Sequence, residues 1–273
     1  MFIDTHCHLD MIVQKEFDTP IHAHQMQQIA DVLDVAHKNH VEKIITIGTS
    51  LTGSANAIAV AHEYDSVYAT IGIHPCDAQE LGVSGIITMK DAWHRWLKEK
   101  EKHKIVALGE IGLDFYHKPY NKGLQENFFT AQLDMAVEYC MPVIIHMRDA
   151  TDETLAIVEP YAIAGLRGVI HCFGHGIDVA QKVMSWGWFV GLDGPITYPK
   201  NDALRAVVKD IPLECIVLET DAPFLPPQPF RGKPNVPAYI PLIAKEIATV
   251  KGCSIAVVEE TTTRNAITLF GLG

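Results

Sequence analysis

The chain has no apolar run of membrane-spanning length, no CxxC pair, no low-complexity stretch and no surplus of cations. Without the apolar run, a transmembrane helix is excluded and a globular protein with no membrane partner is expected. No basic leader followed by an apolar segment precedes the first strand-like run, so neither a secretory signal nor a transit peptide is apparent and the cytoplasm is the expected compartment. The six cysteines, at 7, 76, 140, 172, 215 and 253, are scattered. That spacing argues against zinc clips and a disulfide framework, and several of them lie in apolar runs that suit reduced, buried thiols. With 22 Lys and Arg against 33 Asp and Glu, the formal charge is −11. This excludes a broad surface that coats nucleic acid, which needs clustered cations to displace counterions. It leaves room for an enzyme of nucleic acid, because bound divalent ions supply positive charge at the site itself.

What is present is a regular alternation. Short β-rich runs occur at 2–8, 43–48, 67–74, 105–112, 143–146, 168–172, 188–192 and 215–219, with helix-compatible segments at 24–39, 55–64, 91–103, 122–140, 152–163, 178–186, 203–209 and 237–250. Eight strands alternating with helices predict an α/β fold, a (β/α)8 TIM barrel, in preference to an open doubly wound sheet. A further segment at 255–270 predicts one additional C-terminal helix. No linker divides the 273 residues and no repeat of solenoid period occurs, so a single domain, 1–273, is expected. The run from Lys98 to Lys104 reads as the solvated end of a helix. The proline-dense stretch from Ala222 to Pro234 reads as a stiff excursion leaving the eighth strand.

Polar residues at the ends of these apolar runs carry the chemistry. His6 and His8 are two apart on the first strand, so their rings share one face and can meet one ion. Glu110 ends the fourth strand, His146 the fifth and His171 the sixth, Glu219 and Asp221 the eighth, and His74 follows the third. Each alone is also what a capping acid or a hydrogen-bonded core histidine looks like. A barrel, however, sends all of these strand ends to a single mouth. Imidazole and carboxylate suit Zn, Mn, Fe or Mg, and one or two such ions activate water and neutralise developing charge. Glu110 is the natural bridging carboxylate; Asp221 is placed to bind an ion and accept the water proton, and Glu219 to orient its neighbours.

The ordered set formed by Ile3-Asp4-Thr5-His6-Cys7-His8-Leu9-Asp10, Gly72-Ile73-His74-Pro75, Gly109-Glu110-Ile111-Gly112-Leu113-Asp114-Phe115-Tyr116, Ile145-His146-Met147-Arg148-Asp149-Ala150, His171-Cys172-Phe173 and Leu218-Glu219-Thr220-Asp221-Ala222-Pro223-Phe224-Leu225 resembles the TatD family of metal-dependent hydrolases, within the amidohydrolase superfamily. The match runs nearly end to end. The resemblance implies a (β/α)8 barrel with one or two divalent ions and a deoxyribonuclease activity, including 3′-to-5′ exonuclease action, with DNA as substrate and no obligate protein partner evident. It places His6, His8, Glu110, His146, His171 and Asp221 at metal-ligand positions. It puts His74, Asp114, Tyr116 and Arg148 on the substrate side, where Arg148 can fork onto phosphate or pair with an acid at the rim. The chain departs from the family in three loops: Gly174-His175-Gly176, Thr197-Tyr198-Pro199-Lys200-Asn201 with its extra proline, and Val236 where Glu is frequent. The same metal chemistry also serves an ester or amide substrate, such as a D-aminoacyl-tRNA or a lactone, and a metal-binding scaffold without turnover is the remaining alternative.

Overall fold

In the computed structural model, which describes residues 1–14 and 18–273, eight strands form one sheet in chain order: β1 (Phe2–Cys7), β2 (Val41–Thr46), β3 (Val67–Ile71), β4 (Ile105–Asp114), β5 (Val143–Arg148), β6 (Gly168–Ile170), β7 (Phe189–Leu192) and β8 (Ile216–Leu218). Helices separate the strands, and a parallel bridge from Cys7 to Ala222 joins the end of β1 to the chain leaving β8. This is the (β/α)8 fold that the alternation predicts. No helix among the described residues is long and apolar enough to cross a membrane.

The chain resolves into two compact units. One comprises Met1–Phe17, Ile21–Thr46 and His171–Gly273, and contains β1, β2, β7 and β8. Every residue of β1 is buried, the polar Asp4, Thr5 and His6 included, so each needs a partner inside the protein. Thr5 Oγ1 donates to the Leu218 carbonyl (2.9 Å), and the Asp4 carboxyl meets Thr220 Oγ1 (2.6 Å) and the Thr220 amide (3.0 Å). These bonds lock β1 to the end of β8. The proline-rich excursion is closed by buried Asn235, whose Nδ2 donates to the Thr220 and Phe224 carbonyls at 2.7 and 2.8 Å.

The other unit, Asp18–Pro20 with Ile47–Ile170, contains β3 to β6. β4 runs beside β5 in parallel, with Gly112 opposite His146 and Asp114 opposite Arg148. Gly112 adopts φ 147°, and a Cβ there would stand 2.0 Å from the His146 carbonyl oxygen, so only glycine lets the two strand ends approach. Behind them the helix Lys122–Glu138 presents two buried glutamines seven residues apart. Gln125 exchanges both amide hydrogen bonds with the backbone of Asp114 (2.9 Å each), and Gln132 does so with Ile73 (2.8 and 3.2 Å).

Several elements depart from the sequence expectation. β4 continues two residues further, to Asp114, whereas β3 and β6 end earlier, leaving His74 and His171 just beyond their strands. The helix Gly85–Leu97 begins before the expected 91 and stops at Leu97, so residues 98–104 form turns and not a helical end. The last buried apolar anchor of that helix is Leu97, and Lys104 takes a left-handed φ of 53° to bring Ile105 into β4. The helix Leu51–Glu63 starts four residues early because Ser50 caps it, its Oγ accepting from the Gly53 amide at 2.9 Å. Short helices at Leu9–Val13 and Ala78–Leu81 were not expected, and the C-terminal helix spans Ile255–Phe270. All six cysteines are free thiols, but only Cys7 is fully buried.

Candidate metal centre

The first unit gathers His6, His8, His171, Glu219 and Asp221. His6 and His8 project from the same face of β1 as it ends, and their Nε2 atoms are 3.2 Å apart. Asp221 Oδ1 lies 3.5 Å from His6 Nε2 and 3.4 Å from His8 Nε2. Asp221 holds this position with a left-handed φ of 57°, a conformation Asp tolerates better than most residues, and its amide donates to the His6 carbonyl at 2.9 Å. The His171 ring stacks on that of His6 with centroids 3.9 Å apart and planes at 12°. Glu219 accepts from the Cys172 amide and lies 3.3 Å from His171 Nδ1, so it faces His171 while Asp221 faces the His6–His8 pair. Burial acts to raise the Asp221 carboxyl, but the His8 hydrogen bond and the His171, His6 and His8 imidazoles more than offset it and hold the group below its usual range. Asp221 is thereby an ionised carboxylate among three imidazoles.

The second unit gathers His74, Glu110, Asp114 and His146. His146 lies between two carboxylates, with Nδ1 2.7 Å from Glu110 Oε1 and Nε2 3.0 Å from Asp114 Oδ2. Each carboxylate stands where it can accept from the ring nitrogen beside it. His74 meets the His146 ring edge-on at 4.4 Å and lies 3.8 Å from Glu110 Oε1. Its amide donates to the Thr49 carbonyl at 2.7 Å, which fixes a residue three positions past β3. Asp114 is fully buried yet held well below the usual carboxylate range: burial pushes it up, and hydrogen bonds from His146 and from the His117 amide and ring outweigh that push. At the solvent side the Arg148 guanidinium lies over the Tyr116 ring at 4.0 Å, both residues being exposed. Among the described residues Arg148 makes no ion pair within 4.0 Å, so the rim salt bridge left open by the sequence is not formed.

The donor sets fit divalent ions. Three donor atoms from His6, His8 and Asp221 lie within 4.8 Å of one another, as do three from His74, Asp114 and His146. Two imidazole nitrogens with a carboxylate oxygen are the donors of Zn, Mn and Fe sites. Buried nitrogens as close as His6 and His8 are brought together by a shared proton or a shared cation.

Comparison with known proteins agrees with these motifs. The TatD related DNase family matches residues 3–271. The chain belongs to that family. This TatD-family chain is 35% identical to the metal-dependent hydrolase YabD of Bacillus subtilis over 271 residues, 99% of each protein, and it is a metal-dependent hydrolase. It is 34% identical to the 3′-5′ ssDNA/RNA exonuclease TatD of Klebsiella pneumoniae, covering 89% of this chain and 91% of that protein. The crystal structure of the TatD homologue YjjV of Escherichia coli superposes with a TM-score of 0.87 at 28% identity, covering 100% of this chain and 98% of the other.

The family motifs point to every one of these side chains, but they miss the supports. Gln125 and Gln132 lie outside every motif of the set, and no local pattern singles them out. His117, three residues after Asp114, carries one weak signal: an Asp-x-x-His spacing that lets the ring fold back onto the carboxylate.

Proposed function

We propose that the chain is a divalent-metal-dependent deoxyribonuclease that removes nucleotides from the 3′ ends of single-stranded or frayed DNA. The observation that carries the reading is that a full set of imidazole and carboxylate donors at strand ends is accompanied by an exposed cation on an aromatic ring, Arg148 on Tyr116. In this reading His6, His8, His171 and Asp221 hold one ion, and Glu110 and His146 serve as ligands in the second unit. One or two ions, of Mg, Mn, Zn or Fe, are bound. When bound, such ions supply Lewis acidity to the scissile phosphate and acidify the attacking water.

The chain's own groups do the rest. Asp221, ionised and facing the His6–His8 pair, accepts the proton of the attacking water at Oδ1. Glu219 keeps the His171 ring oriented. Asp114 orients the His146 ring through Nε2, which leaves Nδ1 beside Glu110 as the nitrogen that would hold an ion, and His74 packs against the ring. Arg148 offers a planar fork to a substrate phosphate, and the Tyr116 face suits a stacked base. The acidic net charge makes binding dependent on these local contacts, so affinity falls steeply with salt.

The test uses metal-stripped protein reconstituted with Mg²⁺ or Mn²⁺ and single-stranded oligonucleotides labelled at either end. Early release of a 3′ label, with a shortening ladder from the 5′-labelled strand, is expected. Intact DNA under every metal, with cleavage of aminoacyl or lactone esters by the same preparations, refutes the nuclease reading and leaves a carbonyl hydrolase.

A further inference from the structure

A third group of donors lies in the second unit, and two of its three members, Cys76 and His117, have no part in the reaction described above. Cys76, one residue beyond the Gly72-Ile73-His74-Pro75 motif, Asp114 at the end of β4, and His117 in the loop that follows place one donor atom each within 4.8 Å of the others. The three come from two separate segments that the fold brings together. His117 is anchored twice on the same acid: its amide donates to Asp114 Oδ1 and its Nδ1 lies against Oδ2, both at 2.8 Å. Cys76 is anchored by its own amide, which donates to His74 Nδ1 at 3.2 Å. The carboxylate forms a buried floor, the thiol is half-buried, and the imidazole is exposed, so an ion reaches the group from solvent.

We propose that Cys76, Asp114 and His117 form an additional binding site for a thiophilic divalent cation, of which zinc is the natural probe. Thiolate, imidazole and carboxylate together select zinc and its soft neighbours and discriminate against Mg²⁺, which takes oxygen ligands and keeps its waters. Three protein ligands leave a fourth position for water. Binding displaces the thiol proton to solvent, and the carboxylates of Asp77, Glu110 and Asp114 that surround Cys76 favour a cation there; the guanidinium of Arg148 opposes it.

The site shares Asp114 with the His146 cluster. Asp114 Oδ2 serves both His146 Nε2, at 3.0 Å, and His117 Nδ1. A cation that draws on this carboxylate competes with the His146 ring, so loading the site slows the enzyme while Mg²⁺ at the same concentration does not. This last consequence rests on the proposed function; the binding itself does not.

Cobalt(II) reports on the site without any substrate. Full-length protein in excess Mg²⁺ is titrated with Co²⁺ and the near-ultraviolet thiolate-to-cobalt charge-transfer band is followed. The band is expected in the wild type, absent in Cys76→Ser, weakened in His117→Ala and unchanged in Cys172→Ser, which removes the thiol beside Glu219. A wild-type protein with no such band, or a band that survives Cys76→Ser, overturns the proposal. Equilibrium dialysis gives a second reading: the wild type binds one zinc ion more per chain than Cys76→Ser, and equal stoichiometry counts against the site. In activity assays Cys76→Ser keeps the Mg²⁺-supported rate and loses inhibition by excess zinc; inhibition equal to that of the wild type refutes the competition at Asp114. DNA left uncut by every variant, with the band behaving as expected, defeats the nuclease reading alone.

Discussion

The two histidine clusters are built on opposite electrostatic plans. In the first unit three imidazoles, with side chains at most 5% exposed, crowd around Asp221, with Glu219 behind. In the second, one imidazole, His146, is held between two carboxylates, and it and His74 are 13% and 17% exposed. A cluster of imidazoles around one carboxylate offers its lone pairs to a divalent ion, whereas a histidine flanked by two carboxylates already has a partner beside each nitrogen. The first cluster is therefore the one that an ion would order in the proposed reading, and the second is preorganised by its own hydrogen bonds. Their buried acids show the same division. Asp114 has imidazole partners and is held low, while Asp4, fully buried without a cation, is pushed up to about 8 by burial despite the bonds from Thr220 and His6.

The largest expected effect tests the division directly. Asp221→Ala or His6→Ala removes a proposed ligand from the histidine-rich cluster, and activity is expected to fall by roughly a thousandfold or more, the equivalent of several kcal/mol of transition-state stabilisation. Excess Mn²⁺ does not restore it. Near wild-type turnover in both variants removes this cluster from the reaction.

The preorganisation of the second cluster is broken from behind by Gln125→Ala. The buried amide and carbonyl of Asp114 lose both partners, and stability falls by roughly 2–5 kcal/mol in denaturant titration. A loss below 0.5 kcal/mol rules out the glutamine as the support of that strand end. A smaller effect is expected at the rim, where Arg148→Ala raises KM for an oligonucleotide about tenfold with kcat little changed, and Arg148→Lys recovers only part of the loss. A fall in kcat alone points to a different role for the guanidinium.

The smallest effect is a pH dependence in the metal-stripped protein. The folded chain keeps the Asp4 proton that the unfolded chain releases near 3.8, so this group makes wild-type stability decline as pH rises from about 4 to about 8 and level off above. Asparagine reproduces a neutral carboxyl, so the Asp4→Asn variant matches the wild type near pH 4 and gains in Tm relative to it up to about pH 8. Asp114 has the opposite sign: its contribution is present above about pH 4 and is lost on acidification. A gap between Asp4→Asn and wild type that stays constant from pH 5 to pH 9 disproves the assignment for Asp4.

How much of this was legible in the sequence follows from where each kind of residue sits. Strands buried on both faces write themselves as continuous apolar runs, and a histidine or acid interrupting such a run stands out. That is how His6, His8, Glu110 and Asp221 stand out, although only their shared place at strand ends, and none of them singly, points to a site. Gln125 and Gln132 were not, because polar residues seven apart on a helix look the same whether they face water or clamp a strand end. The turns at residues 98–104 were hidden because alternating Lys and Glu favour a helix locally, and only the need to enter β4 at Ile105 overrides that preference. Asn235 closes the proline loop through backbone carbonyls of Thr220 and Phe224, a partnership that no local pattern records.

The helix Lys122–Glu138 has one further consequence as a measuring rod. Gln125 and Gln132 are two turns apart, about 10 Å along the helix axis, and each clamps one backbone, that of Asp114 and that of Ile73. A single residue inserted between them turns one clamp away by about 100° while leaving both glutamines in the sequence. Surface loops tolerate such length changes, but here the count of residues between two side chains is itself what holds two strand ends in place.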